Sequence, residues 1–208
     1  MRALVSELNK NKASYAITGA LAASYYGTPR TTADIDILLQ FSATNRDRLL
    51  RILEEMGLKV NRTRIKRQLD AGYNVVTLHD KHSPQQADFI IQPKGRLVRQ
   101  EGTFLGLKAY YQTPESLILA KLRMIKATRP RERSIKDRED IKAILQNTKV
   151  NVPKIIKGAR KETTLEIART LVPYKSLRDL RGAFKDHEKL IKQSIKELGR
   201  EHREETGS

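Results

Sequence analysis

Two aspartates stand two residues apart in the run TTADIDILLQ, Thr31 to Gln40, where they alternate with Ile35 and Ile37. That alternation has the period of a β-strand, on which positions i and i+2 share a face. Asp34 and Asp36 therefore project together while Ile35 and Ile37 turn to the core. Two carboxylates held that close raise each other's pKa unless a cation sits between them. Paired oxygen donors suit a hard divalent cation such as Mg²⁺. The plainer alternative is a strand with one solvated polar face, and the acidic–apolar–acidic triplet alone does not decide between the two.

The residues upstream bear on that choice. Tyr15 to Thr18 has strand character and runs into Gly19-Ala20, which opens a small, helix-favouring stretch to Tyr26. Gly27-Thr28-Pro29 then breaks it, and the acidic strand follows from Asp34 to Leu39. Gly19 permits close approach of the backbone to a ligand. The helix that starts there offers free N–H groups, a natural site for phosphate.

Together these segments resemble the nucleotidyltransferase fold of the DNA polymerase beta superfamily. That family's signature is a strand ending in Gly-Gly or Gly-Ser, a short gap, and an acidic–apolar–acidic strand. Here the first part is Thr18-Gly19-Ala20, and thirteen residues separate Ala20 from Asp34. The run Gly27-Thr28-Pro29-Arg30-Thr31-Thr32-Ala33-Asp34-Ile35-Asp36 is similar to minimal prokaryotic members, including those related to the AbiEii/MenT toxins. A third carboxylate on a later strand is implied. Asp88 in QQADFIIQ fits, and Asp80 in LHDKH is the competitor. The subgroup's P-E-x-L-I-x-x-K-L helix and D-x-x-D-I run correspond to Pro114 to Leu122 and Asp137 to Ile141. Lys121 lies among apolar helix residues, where a lysine needs a partner; a nucleotide phosphate and Asp137 are the two candidates, and an exposed lysine on a solvated face is the plainer alternative. Arg30 either reaches the incoming phosphates or pairs with an aspartate of the site. Ala20 departs from the family's second small residue: it keeps the backbone N–H but lacks a phosphate-binding hydroxyl.

The resemblance implies Mg²⁺, with two ions expected, held by Asp34, Asp36 and Asp88. Gly19, Ala20, Arg30 and Lys121 become the nucleotide-binding candidates. The implied reaction is transfer of an NMP from an NTP to an acceptor hydroxyl by in-line displacement at the α-phosphorus. The toxin-like relatives add a toxin–antitoxin role to the expectations.

Several elements must position these groups. An amphipathic helix is expected over 2–12, with Leu4, Val5 and Leu8 on one face. Ser42 caps a helix to about Met56 that turns Leu49, Leu50, Ile52 and Leu53 inward and stops at Gly57. Strands are expected over 58–62, 74–79 and 87–92, and 98–111 reads as extended in pieces. From Thr113 the texture becomes helical. Pro114 takes a first helical position, and further helices are expected over 134–146, 153–161, 164–172 and 183–203. The last carries a stripe of Phe184, Leu190, Ile191, Ile195 and Leu198, which reads as core or partner-helix contact. The expected class is α+β: a small mixed β-sheet flanked by helices, with a helical C-terminal part. The expected division is a nucleotidyltransferase core over 1–112 and a basic helical region over 113–208 packed on it.

Composition limits the function further. The chain has 208 residues, 38% of them apolar, enough for a packed core. It has no cysteine, which excludes disulfides and thiolate metal sites and fits a cytoplasmic protein. No apolar run approaches the ~18 residues of a membrane helix. His79, His82, His187 and His202 are scattered and suggest no zinc site. The net charge is +17 and uneven: residues 1–93 carry 13 Lys/Arg against 9 Asp/Glu, and residues 94–208 carry 28 against 15. Such an excess favours a polyanionic partner. Eight Lys/Arg fall between Lys121 and Arg138 (Lys121, Arg123, Lys126, Arg129, Arg131, Arg133, Lys136, Arg138), a band that suits an RNA backbone such as tRNA or is a solvated helix face. Only 5% of residues are aromatic, so shape and phosphate contacts would outweigh base stacking. Three alternatives stay open: a degenerate module that binds nucleic acid or protein without chemistry, transfer of AMP to a partner protein, and a small-molecule acceptor such as an aminoglycoside. The basic field disfavours the last.

Overall fold

The computed structural model describes residues 1–32, 34–41, 46–81, 85–128, 134–172, 189 and 192. The chain divides into two compact units, Met1–Val150 and Asn151–Ser208. Among the described residues the first unit runs α1 (Arg2–Lys10), β1 (Tyr15–Thr18), α2 (Gly19–Tyr26), β2 (Asp34–Gln40), α3 (Arg46–Glu55), α4 (Arg62–Asp70), β3 (Val75–His79), β4 (Gln86–Gln92), β5 (Arg99–Phe104), β6 (Leu107–Gln112), α5 (Pro114–Ala127) and α6 (Ile135–Asn147). The second holds α7 (Val152–Lys161) and α8 (Leu165–Leu171).

Six strands form one mixed sheet in the order β3-β4-β2-β1-β6-β5. β1 is antiparallel to β2 and parallel to β6, β2 is parallel to β4, and β3 and β5 close the edges antiparallel to β4 and β6. Alternation decides what each face does. Ile35, Ile37 and Leu39 of β2 are buried, and in register beside them lie Ala87, Phe89 and Ile91 of β4 and then Leu78 and Val76 of β3. Ile17 and Tyr15 of β1 continue the same face. Leu4, Val5 and Leu8 of α1 and Leu49, Leu50, Ile52 and Leu53 of α3 are buried too, as their spacing requires. The opposite face of β2, β4 and β3 is more open, and it carries Asp34, Asp36, Asp88 and Thr77.

Two expectations change. The stretch 58–62 is not a strand; Leu58 makes one isolated bridge to Asp80, and Arg62 begins a helix. Asn61 starts that helix by accepting from the Arg64 N–H at 2.9 Å. Only Ile65 of the helix is buried, so its periodicity is nearly invisible among the arginines. The unit boundary lies at Val150 and not near 112, because α5 and α6 pack with each other and with α2. In the second unit, Val152, Ile155, Ile156, Ala159, Ala168 and Leu171 are buried, and Asn151 caps α7 through the Lys154 N–H. Ser42, and the expected helix over 183–203 apart from Lys189 and Lys192, lie outside the described residues.

Candidate active site

Sheet register sets four side chains in a row. Thr77 of β3 pairs with Asp88 of β4, Asp88 with Asp36 of β2, and Asp36 with Thr18 of β1. Register partners on one face have side chains about 5 Å apart, so Asp36 and Asp88 stand abreast. Asp34 lies two residues up its strand, opposite Gln86, and is exposed. Asp80 belongs to the Leu58 bridge and stands outside this row.

The start of α2 holds Asp36 in place. Thr18 precedes the helix in an extended conformation and makes no side-chain cap; its hydroxyl donates to Gln112 Oε1 instead. The Asp36 carboxylate lies against this helix start, and the Ala20 amide favours its charged form. Gly19 has φ +61°, and a Cβ there would lie 1.9 Å from Asp36 Oδ2 and 2.6 Å from its Cγ. Gly19 is glycine because that carboxylate sits on its backbone. The helix start that the sequence offers to a phosphate faces a protein carboxylate here.

Arg30 and Lys121 meet one acid, Asp140 of α6. Arg30 Nε donates to Asp140 Oδ1 at 3.1 Å and its Nη2 to Oδ2 at 3.0 Å, a fork-to-fork pair. Lys121 Nζ lies 2.8 Å from Asp140 Oδ2 and donates to Asp137 Oδ1 at 2.9 Å. Lys121 is 5% exposed and Asp140 7%, so the inner pair is buried, while Arg30 closes the cluster from the exposed side; the four charges balance. It also fastens the loop between α2 and β2. Arg30 is clamped to α6, Gly27 packs where a Cβ would lie 2.9 Å from Ala143 Cβ, and Thr148 Oγ1 donates to Tyr26 O at 2.6 Å.

The electrostatics of the two acids run in opposite directions. Burial pushes the Asp36 carboxyl above its ordinary range, and the charges of Asp88 and Asp34 add to this; Lys121 and the Ala20 N–H oppose it and lose. Burial also pushes Asp140 up, but the hydrogen bonds from Arg30 and Lys121 outweigh it and hold Asp140 below the usual carboxylate range. Negative charge thus accumulates at the sheet and is neutralised at the helices.

The repulsion that Asp36 meets from Asp88 and Asp34 is of the kind a hard cation relieves, and the three carboxylates match Mg²⁺ in donor type alone. Among the described residues, no group of three or more His, Cys, Asp or Glu side chains is placed to hold a metal ion. The trio is a register pair with the third acid beside it.

The structure brings Asp36, Asp88, Gly19 and Ala20 together, and the Lys121 charge reaches Asp36. It ties Arg30 to Asp140. Two participants escape the sequence reading. Asp137 and Asp140 stand at i and i+3, one face of a helix, and that spacing was the available signal for Asp140. Thr77 donates to Asp88 Oδ1 at 2.6 Å and carries no sequence signal, because only the β3–β4 register puts it there.

Of the basic band over 121–138, Lys121 is buried in the ion cluster; Arg123, Lys126 and Lys136 are exposed, and Arg138 is half-buried. Arg129, Arg131 and Arg133 lie outside the described residues. No helix among the described residues is long and apolar enough to cross a membrane.

No family model matches the chain, and no curated protein matches it in sequence. Solved structures do match it in shape. The solution structure of the antibiotic-resistance factor ANT(2'')-Ia superposes with a TM-score of 0.54 at 13% identity, over 90% of this chain and 94% of that one. An antigenic nucleotidyltransferase-like protein from Paracoccidioides brasiliensis gives 0.49 at 14% identity, over 81% and 89%. A tRNA-processing enzyme gives 0.33 at 12% identity, over 82% of this chain and 55% of its own. The fold rests on the first of these together with the sheet just described: six mixed strands flanked by helices are a nucleotidyltransferase fold.

Proposed function

We propose that this chain is a Mg²⁺-dependent nucleotidyltransferase that moves an NMP from an NTP to an acceptor hydroxyl, with RNA such as tRNA as acceptor. The carrying observation is that Asp36 and Asp88 stand abreast on an open sheet face with Asp36 seated on the start of α2. Asp34, Asp36 and Asp88 would hold the metal, which when bound supplies charge neutralisation at the transferring phosphoryl group and the departing pyrophosphate. The chain's own residues do the rest. Gly19 and Ala20 fix the Asp36 carboxylate, and the triphosphate lies over that helix start. Lys121 places positive charge beside Asp36, and Arg30 holds the α2–β2 loop at the nucleotide. Asp88 takes the proton of the acceptor hydroxyl as the oxygen–phosphorus bond forms and the bond to pyrophosphate breaks.

The exposed Arg123, Lys126 and Lys136 support an RNA backbone beside the site. The Gly27 to Asp36 run and the Lys121–Asp137–Asp140 cluster support the AbiEii/MenT-like subtype, and with it a toxin role in the cytoplasm. A second reading, a nucleotidyltransferase-fold module without chemistry, is favoured by the Asp36 carboxylate facing the helix start and by the lack, among the described residues, of three acids placed to hold a metal.

Incubation with labelled NTPs, Mg²⁺ and total RNA separates the two. Label enters RNA with the native chain and not with the Asp34→Ala/Asp36→Ala variant. Transfer that persists in the double variant removes the site assignment. Mg²⁺-dependent NTP binding without transfer to RNA or to protein leaves the second reading.

A further inference from the structure

We propose that Thr77, on the edge strand β3, is a positioning residue that orients Asp88; this rests on the reading of Asp88 given above. Asp88 lies between two neighbours in one row of the sheet, Asp36 on one side and Thr77 on the other. The Thr77 hydroxyl donates to Asp88 Oδ1 at 2.6 Å. That bond occupies one carboxylate oxygen and leaves Oδ2 for the site. It also fixes the terminal torsion of the aspartate, which is otherwise broad. Asp88 needs such help. Its neighbour Asp36 shares its face and its charge.

Nothing in the packing of β3 requires a hydroxyl at this position. Thr77 is exposed, between Val75 and His79 on the solvated face of the edge strand. Any β-branched residue would serve the strand. A short bond from an exposed edge position to a partly buried acid is therefore a feature of the site. Groups that orient a ligating carboxylate typically cost about 10–100-fold in metal affinity or activity when removed.

Two substitutions separate positioning from strand propensity. Thr77→Val keeps the branch and loses the hydroxyl; Thr77→Ser keeps the hydroxyl and loses the branch. Three quantities decide: kcat and KM for NTP in the label-transfer assay, Mn²⁺ affinity of the nucleotide-free protein by calorimetry, and Tm. The expected result for Thr77→Val is a fall of about 10–100-fold in kcat or Mn²⁺ affinity, with KM nearly unchanged and Tm held. Thr77→Ser is expected to restore both while lowering Tm slightly. Native kcat and native Mn²⁺ affinity in Thr77→Val overturn the proposal, as does an equal loss in Thr77→Ser. Should no acceptor be found, the Mn²⁺ arm decides alone. Asp88→Asn is the separate control: if it leaves both transfer and Mn²⁺ affinity native, the reading of Asp88 falls and takes Thr77 with it.

Discussion

Replacing Gly19 with alanine should damage the site by two routes that can be measured apart. The first is backbone strain. Gly19 has φ +61°, and a residue with a Cβ pays about 1–2 kcal/mol in that region. The second is collision: the new methyl carbon would sit 1.9 Å from Asp36 Oδ2 and 2.6 Å from Cγ. Carbon and oxygen need about 3.3 Å, so the carboxylate must retreat by about 1.4 Å from the helix start. A carboxylate at a partly buried helix start is worth up to about 2 kcal/mol, offset in part because Asp36 escapes its crowding by Asp88. The net expectation is a loss of about 2–4 kcal/mol by urea unfolding at pH 7. In an Asp36→Ala background most of the collision is gone, and Gly19→Ala should cost only the backbone's share of about 1–2 kcal/mol. The coupling between the two sites is then about 1–2 kcal/mol, measured by the four proteins of a double-mutant cycle. Label transfer by Gly19→Ala should fall by about 100-fold or more, since displacing a reacting group by an ångström has that effect. An equal stability cost in both backgrounds, or a loss below about 0.5 kcal/mol in the native one, refutes the placement of Asp36 on the start of α2.

Asp140→Ala frees the exposed Arg30 and leaves the buried Lys121 with Asp137 alone, and is expected to cost about 1–3 kcal/mol by urea unfolding; a cost below about 0.5 kcal/mol would show the cluster to be solvated. Because Asp140 titrates below its ordinary value, its contribution is present above the unfolded value near 3.9 and is lost as pH falls through the folded value, so acid unfolding should shift to higher pH in Asp140→Asn. Asp36 has the opposite sign: raised when folded, it binds its proton more readily in the native state and weakens the fold once ionised. Asp36→Asn should therefore be more stable than the native chain at pH 7, and the gain should shrink as pH falls through the raised value towards 3.9; an equal gain at both ends contradicts the assigned crowding.

Much of the site was legible because strand periodicity is short-range. Alternation of Asp34, Ile35, Asp36 and Ile37 fixes their faces whatever surrounds them, and Ile35 and Ile37 are indeed buried. The α5 start at Pro114 and the α6 span follow likewise from local rules of capping and spacing. The short helix α4 was not legible, since one buried isoleucine among arginines sets no readable period. The boundary at 112 followed a change of texture, but texture reports secondary structure and not which helices share a core. The partner of Arg30 was open for the same reason, because Arg30 and Asp140 are 110 residues apart and only packing brings them together.

The amino-acid order alone determined that two acids share a strand face, that a glycine-led helix precedes them, and that cations gather in the C-terminal half. Each of these depends on neighbours within a few residues and on composition. Tertiary structure decided that Asp88 and not Asp80 joins Asp36, that Thr77 holds Asp88, and that Asp36 lies against the start of α2. It also decided that Lys121 and Arg30 share Asp140. Those pairings come from strand register and helix docking, which join segments far apart in the chain: alternation fixes the face of each strand, but its partner residue is settled only when the strands and helices pack.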